Sequence, residues 1–577
     1  MRASVALPTT ESVTRSVALT AARAAAFAER RRWWIVGGCV VGYWAFVAVI
    51  ALLTSPHNGW IYQNGDDGGW YWTSAWTLSS LHLPFTAVGL GWPYLMTPLA
   101  QIFGANVADG LPAVVALNVG VLAPAAIVGM YLLGERIAGQ LFGVWASFLW
   151  VVLPIASVLL YAKHARWVVT DTFLPTALGL NVLSDFPSEV CAIFAAYFVL
   201  RTIDGGVVRD GVLAGIVLGF LLLLKPSNAP LVILAGVFLL GMRMFRPLLA
   251  AALSIAPALA ALAFWKQRGR DLLFAPTGPA GAPHPAEGNH SGLFGHLDTA
   301  AHRLVDIPGT YLSFDWHHMG QNVHALGEVF WSVRLLEFLL AAGVIALVAQ
   351  ARLRGLFVVG WFMAIALVKG TSSQASVLDT SLYRYLMPAW PAWVLIVAGL
   401  VFLWPRGAET RMRSAEGGVA GRLPSRPSNA LLLVSLLALG LVPMAFALGA
   451  SRAPAGTIAQ MESGALVPIV DFRLTAKQTG EHSVALAWRA LRTERATSVY
   501  RIYSGPDGGC PPSHEGTPVC QFRMAKTWWV PPRAATVVDA KPGPVTYRVA
   551  LAADWRFDPN NTSDLLLLSK PVTITVR

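Results

Sequence analysis

Apolar runs long enough to cross a lipid bilayer recur along most of this 577-residue chain, and no other feature restricts its fold as tightly. A span needs about 20 apolar residues, because the hydrocarbon core is about 30 Å thick and a helix rises about 1.5 Å per residue. Such runs become helices, since lipid offers no partner to a free backbone N–H or C=O. With 55% hydrophobic and 13% charged residues, the expected fold class is a polytopic α-helical membrane protein. The runs lie at 33–53, 111–133, 141–161, 190–200, 212–224, 229–240, 247–265, 331–348, 356–368, 385–403 and 430–448, which makes eleven transmembrane helices.

Charge sets the orientation. In a soluble domain a net charge of +12 suggests nucleic acid, but here the arginines sit in short segments between apolar runs, the positive-inside pattern of membrane proteins, and a nucleic-acid partner is rejected. Arg30 to Arg32, Arg136, Arg201 and Arg209, Arg243 and Arg246, Arg352 and Arg354, and the arginines of 406–426 all fall on one side, the cytoplasmic one. Residues 83–104 carry Pro84, Pro93 and Pro98 and read as a kinked interfacial helix. Counting them as a span would put every later basic cluster outside. The expected order is a cytoplasmic segment (1–32) with no cleavable signal peptide, a membrane domain (33–450) and an extracytoplasmic tail (451–577), in a plasma or inner membrane.

The tail changes character. Stretches such as Val484-Ala485-Leu486-Ala487-Trp488 and Val545-Thr546-Tyr547-Arg548-Val549 are rich in β-formers and separated by Gly, Pro and Asp, which predicts a β-sandwich. Cys510 and Cys520 flank a short polar loop and are expected to form a disulfide if the tail meets an oxidising compartment, whereas Cys39 and Cys191 lie in apolar spans as ordinary buried thiols.

Four polar clusters sit at the outer membrane level. Asp66 and Asp67 follow the first span as adjacent carboxylates, which water, a cation or a basic substrate group must offset; the alternative is an Asp-Gly turn capping a helix that begins near Trp70. Asp185, ahead of Pro187, reads singly as a helix N-cap. Lys225 interrupts the apolar stretch 212–240 at the tip of a hairpin; ionisable groups at membrane level are functional candidates, and snorkelling to headgroups is the alternative. Arg384 stands at the outer end of the tenth span, against the charge rule, so an anionic partner such as a lipid phosphate explains it better than orientation does.

Taken in order, these clusters resemble a family. Asp66-Asp67-x-x-Trp70-Tyr71 resembles the Asp-Glu-x-x-Tyr of the first outer loop of GT-C glycosyltransferases, the class of protein O-mannosyltransferases and lipid A aminoarabinose transferases. Residues 94–112 resemble their juxtamembrane helix, and Asp185-Phe186-Pro187 their Asp-x-Pro. Gly215 and Gly219 ahead of Lys225 are similar to their Gly-x-x-x-Gly span ending in Lys, and Arg384-Tyr385-Leu386-x-Pro388 to their Arg-Tyr-x-x-Pro. Asp67 stands where Glu is usual, and Pro226 where Gly is common.

The resemblance implies a GT-C-like enzyme of the cell envelope that moves a sugar from a polyprenyl-phosphate donor to an extracytoplasmic glycan, lipid or protein, with inversion. It makes Asp66 the base, with Asp67 and Asp185 positioning it, the acceptor or a cation, and Lys225, Arg384 and Tyr385 binding the lipid phosphate. A divalent metal at Asp66 and Asp67 stays open; no nucleotide cofactor is expected, since the chain carries no P-loop or dinucleotide fingerprint. The tail resembles a fibronectin type III domain through a Trp on an early strand and Tyr547 after Pro542-Gly543-Pro544. Rival readings are a transporter or flippase for a lipid-linked glycan, which predicts paired broken helices where only one interrupted hairpin is found, and a noncatalytic envelope scaffold. Residues 266–330 hold seven histidines, whose spacing does not place successive ligands on one helical face, and read as a loop over the acceptor cleft.

Overall fold

The computed structural model describes residues 27–53, 66–83, 88–166, 170, 173–273, 314–372, 375–377, 381–403, 428–451, 453–454, 456–461, 466–489, 498–505, 519–520, 535–553 and 565–577. In chain order the described helices of more than four residues are α1 (Arg32–Leu53), α2 (Asp66–Ser79), α3 (Gly91–Phe103), α4 (Val107–Ala138), α5 (Gln140–Leu160), α6 (Asp185–Gly205), α7 (Val208–Leu224), α8 (Pro226–Gly241), α9 (Phe245–Leu273), α10 (Trp316–Val329), α11 (Val333–Gly370), α12 (Ser381–Leu403) and α13 (Asn429–Gly449).

Among the described residues eight helices, α1, α4, α5, α6, α9, α11, α12 and α13, are long and apolar enough to cross a membrane. Helix α11 accounts for two expected spans. Arg352 breaks it at φ 32° and ψ −103°, and a Cβ added to Gly355 would lie 2.8 Å from the Leu347 carbonyl oxygen, so its halves fold back on each other. With the shorter α7 and α8, every apolar run of the sequence is helical. Helix α3, with Pro98 inside it, has 13 residues, too few to span. Ile102 and Phe103 at its end are exposed, as expected of an interfacial helix.

Two layers of polar contacts bracket the bundle. At the end carrying the arginines, Asp204 accepts from Arg136 at 2.7 Å and from Arg354 at 3.1 Å, and Arg201 pairs with Asp210 at 3.0 Å, so arginines from three separate turns share one face. At the other end lie α2, α3, α10 and the tail. Helix α10 corrects the expectation of a loop across 266–330: Asp315 caps it, and buried Asn322 donates to the carbonyls of Gly370 and Ala375.

The tail folds into two sheets. Strands β1 (Ile458–Met461), β2 (Leu466–Val470), β5 (Ser498–Gly505), β6 (Val519–Cys520), β8 (Gly543–Ala553), β9 (Leu565–Ser569) and β10 (Val572–Val576) form one, and β3 (Thr475–Gly480), β4 (Ser483–Ala487) and β7 (Ala535–Asp539) the other. Val484, Leu486 and Val538 of the smaller sheet pack against Tyr500, Ile502, Val549 and Leu551 of the larger, the expected sandwich core. Two pairings, β1 with β6 and β2 with β9, are parallel, which departs from the antiparallel pattern that a fibronectin type III resemblance implies. Cys510 lies outside the described residues, and so does its expected disulfide with Cys520.

The tail is joined to the outer layer. The Leu83 amide donates to the Ser451 carbonyl at 2.6 Å and the Ser451 amide to that of Leu81 at 2.9 Å, while Thr73 of α2 donates to the Leu466 carbonyl at 3.4 Å. Sandwich and α2 therefore occupy one side of the helical bundle.

Glycines bring the helices close enough to place the site. Gly211, Gly215 and Gly219 form a stripe down α7 at four-residue intervals; a Cβ at Gly215 would lie 2.2 Å from the Ala251 carbonyl oxygen of α9. Gly91, at the start of α3, sits against the end of α7 in the same way, 2.8 Å from the Leu224 amide nitrogen. Both contacts fix the turn that carries Lys225. Overpacking of this kind costs about 1–3 kcal/mol, more where backbone must move. Gly215→Leu is therefore expected to lower the unfolding temperature in detergent micelles, whereas Gly236→Leu, with nothing within 4 Å, leaves it unchanged.

Candidate active site

Four segments widely separated in sequence meet at the end of the bundle opposite the arginine face, at the starts of α2, α6 and α12 and the end of α7. Asp185 is the first residue of α6 and is 1% exposed. Read from sequence as an N-cap, it does not cap: Lys225 Nζ donates to its Oδ1 at 2.5 Å, and Arg384 Nε stands 3.6 Å from its Oδ2. The reason is placement. Lys225 ends α7 in an extended conformation (φ −154°, ψ 107°), which turns the chain out of the helix beside the start of α6.

Arg384 also donates to Asp67, one residue into α2. Asp185 and Arg384 thus alternate with Lys225 and Asp67 in one chain of charges, acid beside base. The Lys225–Asp185 pair is nearly dry, with side chains 12% and 1% exposed, whereas Asp67 is 35% exposed. Two ammonium groups approach the ring of Tyr385: Lys225 Nζ at 4.6 Å from its centroid and Lys369 Nζ at 5.2 Å. Tyr71 of α2 completes the join, its hydroxyl 2.6 Å from Ser184 Oγ. Burial first, and then the carboxylates of Asp185 and Asp67, push its phenol well above the usual range, so Tyr71 stays neutral.

The structure thus brings together Asp67, Asp185, Lys225, Arg384 and Tyr385. Asp66 opens α2 beside them, and its side chain lies outside the described residues. Two residues escape a reading of the sequence. Lys369, 6% exposed, closes the second half of α11, where a lysine after an apolar run looks like an interfacial anchor. Glu189, one turn along α6 from Asp185, is fully buried with neither carboxylate oxygen bonded to a described residue. The i, i+4 spacing was the available signal.

Among the described residues no group of three His, Cys, Asp or Glu side chains is placed to hold a divalent ion, and Asp67 is engaged by the Arg384 guanidinium. Of the seven histidines, His284, His290, His296 and His302 lie outside the described residues, while His318 meets the Ala375 carbonyl at 2.7 Å and His324 faces Glu328 on the surface.

No protein-family profile matches this chain, and no curated protein matches its sequence. Among solved structures it is similar to the oligosaccharyltransferase of Archaeoglobus fulgidus in the apo form, with a TM-score of 0.39 and 14% identity over 74% of this chain and 57% of that one. It is similar also to ArnT from Cupriavidus metallidurans bound to undecaprenyl phosphate, with a TM-score of 0.40 and 14% identity over 71% of this chain and 76% of that one. A third is the arabinosyltransferase EmbB from Mycobacterium smegmatis, with a TM-score of 0.25 and 13% identity over 94% of this chain and 65% of that one. The chain spans just over half the length, 57%, of the first of these. Superpositions this loose carry no argument about chemistry, which rests on the residues themselves.

Removing one partner of a buried ion pair leaves an uncompensated charge and costs about 3–5 kcal/mol, against about 0–1 for an exposed pair. Asp185→Asn is therefore expected to lower the unfolding temperature in micelles far more than Asp67→Asn, whose side chain is one-third exposed. Equal losses would show that the two pairs contribute alike.

Proposed function

We propose that this protein is an integral-membrane glycosyltransferase that moves a sugar from a polyprenyl-phosphate donor to an extracytoplasmic acceptor, inverting the anomeric centre. The observation that carries the reading is the Lys225–Asp185–Arg384–Asp67 chain of charges, dry at its Lys225–Asp185 end, at the end of the bundle opposite the arginine face. Such an arrangement suits a reaction in which a proton leaves one substrate and an anion leaves the other.

Asp66 takes the proton from the acceptor hydroxyl or amine as that group attacks the anomeric carbon. The carbon–oxygen bond to the phosphate breaks on the opposite face, and its electron pair stays on the phosphate oxygen. Opposite-face attack is what inverts the centre. Asp67 is tied to Arg384 and serves to hold the guanidinium at the site. Preorganised cations then face the phosphate as its charge grows, which is the usual source of stabilisation in such transfers. No step is routed through a metal ion. The sandwich, joined to α2, is the part of the outer layer suited to meet a glycan or protein acceptor. A Cys510–Cys520 disulfide in this domain belongs to the same reading.

Asp66→Asn keeps size and removes the base, and loss of a proton acceptor typically costs about 10²–10⁴-fold in rate. The expected result is a protein that inserts and purifies normally, yet leaves a polyprenyl-phosphate sugar to accumulate in cells that depend on it. Asp67→Asn is expected to be milder. Wild-type lipid and glycan profiles in Asp66→Asn cells would refute the assignment.

A further inference from the structure

The cations that sequence reasoning assigns to the lipid phosphate are already engaged. Lys225 is held by Asp185, and Arg384 by both Asp67 and Asp185. Lys369 is different. It is 6% exposed, and among the described residues no carboxylate lies within ion-pair distance of it; its recorded contact is the Tyr385 ring, at 5.2 Å. The effective cost of burying an ion without a counter-charge is several kcal/mol, of which a desolvated ring face returns about 2 or more.

Helix α10 holds this lysine in place. Asn322 donates to the carbonyl of Gly370, the residue after Lys369, and a Cβ on Gly370 would meet Met319 Sδ at 2.4 Å, so the helix end is pinned and covered. The charges that act on it are Lys225, on the same Tyr385 ring, and Asp185, which Lys225 and Arg384 already occupy. The turn that carries Lys225 also carries Ser227, whose buried Oγ has no partner among the described residues.

We propose that Lys369 is the residue that takes up the charge of a phosphate anion at this site, while Lys225 and Arg384, held by their carboxylates, frame it. The inference rests on the glycosyltransferase reading for the identity of the anion. In that reaction the donor phosphodiester carries one negative charge; when its bond to the anomeric carbon breaks, the electron pair left on oxygen makes a monoester able to carry two. The framed cations balance Asp67 and Asp185. Lys369 supplies the countercharge for the phosphate.

The test uses the full-length protein in nanodiscs, with undecaprenyl phosphate as the probe and undecaprenol and phosphatidylglycerol as controls, read by binding and by thermal unfolding. Wild type is expected to bind undecaprenyl phosphate in preference to both controls. Lys369→Gln should weaken that binding about tenfold or more, about 1.4 kcal/mol, and Lys369→Arg should restore most of it. Lys369→Met gives the readout that a merely structural lysine would not: the unliganded protein should unfold at a higher temperature than wild type, with the stabilisation by undecaprenyl phosphate lost.

If Lys369→Gln and Lys369→Met bind undecaprenyl phosphate as wild type does, or if Lys369→Met unfolds earlier with its ligand response intact, the assignment of Lys369 is overturned and the donor reading stands. If wild type binds phosphatidylglycerol as tightly as undecaprenyl phosphate, the anion is a bulk headgroup: the donor reading falls, and Lys369 is decided by its variants on that lipid. If wild type does not distinguish undecaprenyl phosphate from undecaprenol, both fall together.

Discussion

A single carboxylate, that of Asp185, holds this architecture to its purpose. It is buried at the end of a membrane helix, where an isolated charge is costly, and it is tolerable only because Lys225 and Arg384 reach it from two other helices. That requirement propagates outward. Lys225 reaches Asp185 because the glycine stripe of α7 lets it lie directly on α9, and because Gly91 lets α3 press on the end of α7. Arg384 reaches both acids because α12 begins at the same depth as α6, and its pairing with Asp67 draws in the start of α2. Positioning and charge balance are therefore one problem in this bundle.

Much of this was legible in the sequence, and the reasons differ by residue. The spans were readable because length and apolarity are nearly all that a bilayer asks of a helix. Asp67, Asp185, Lys225 and Arg384 stood out because each is a charge where hydrocarbon or headgroups are expected. Their convergence was not visible from any one of them, and Asp185 alone looked like a cap. Lys369 was hidden by its neighbourhood: a lysine beside a glycine after an apolar run matches an interfacial anchor, and only the packing of α10 shows it covered. Helix α10 was itself hidden, since histidines and glycines blur its periodicity and its stability comes from Asn322 and the chain it clamps. Parallel strands in the tail were beyond reach because side chains alternate with the same period of two in either direction.

The composition changes sharply near residue 451, yet the structure does not separate there. Tyr71, Trp72 and Leu78 of α2 belong to the same contiguous apolar cluster as Phe472, Trp488 and Tyr500 of the tail, and the backbone bonds of Ser451 close the gap. A load on the sandwich is thus carried directly to the helix that begins with Asp66 and Asp67.

The pairing of Arg384 with Asp67 spans 317 positions of chain, which gives the site a place in time as well as in space. At about 5–20 residues per second of synthesis, Asp67 is exposed for roughly 15–60 seconds before its partner has been made. Through that interval the first outer loop carries uncompensated negative charge, and α6 and α7 enter the membrane with Asp185 and Lys225 able to satisfy each other first. The order of synthesis thus sets the order of neutralisation, the inner pair before the outer one. A ribosome that stops before residue 384 leaves the Lys225–Asp185 pair made, while α12, α13 and the tail, and with them the Arg384 half of the charge chain, are still missing.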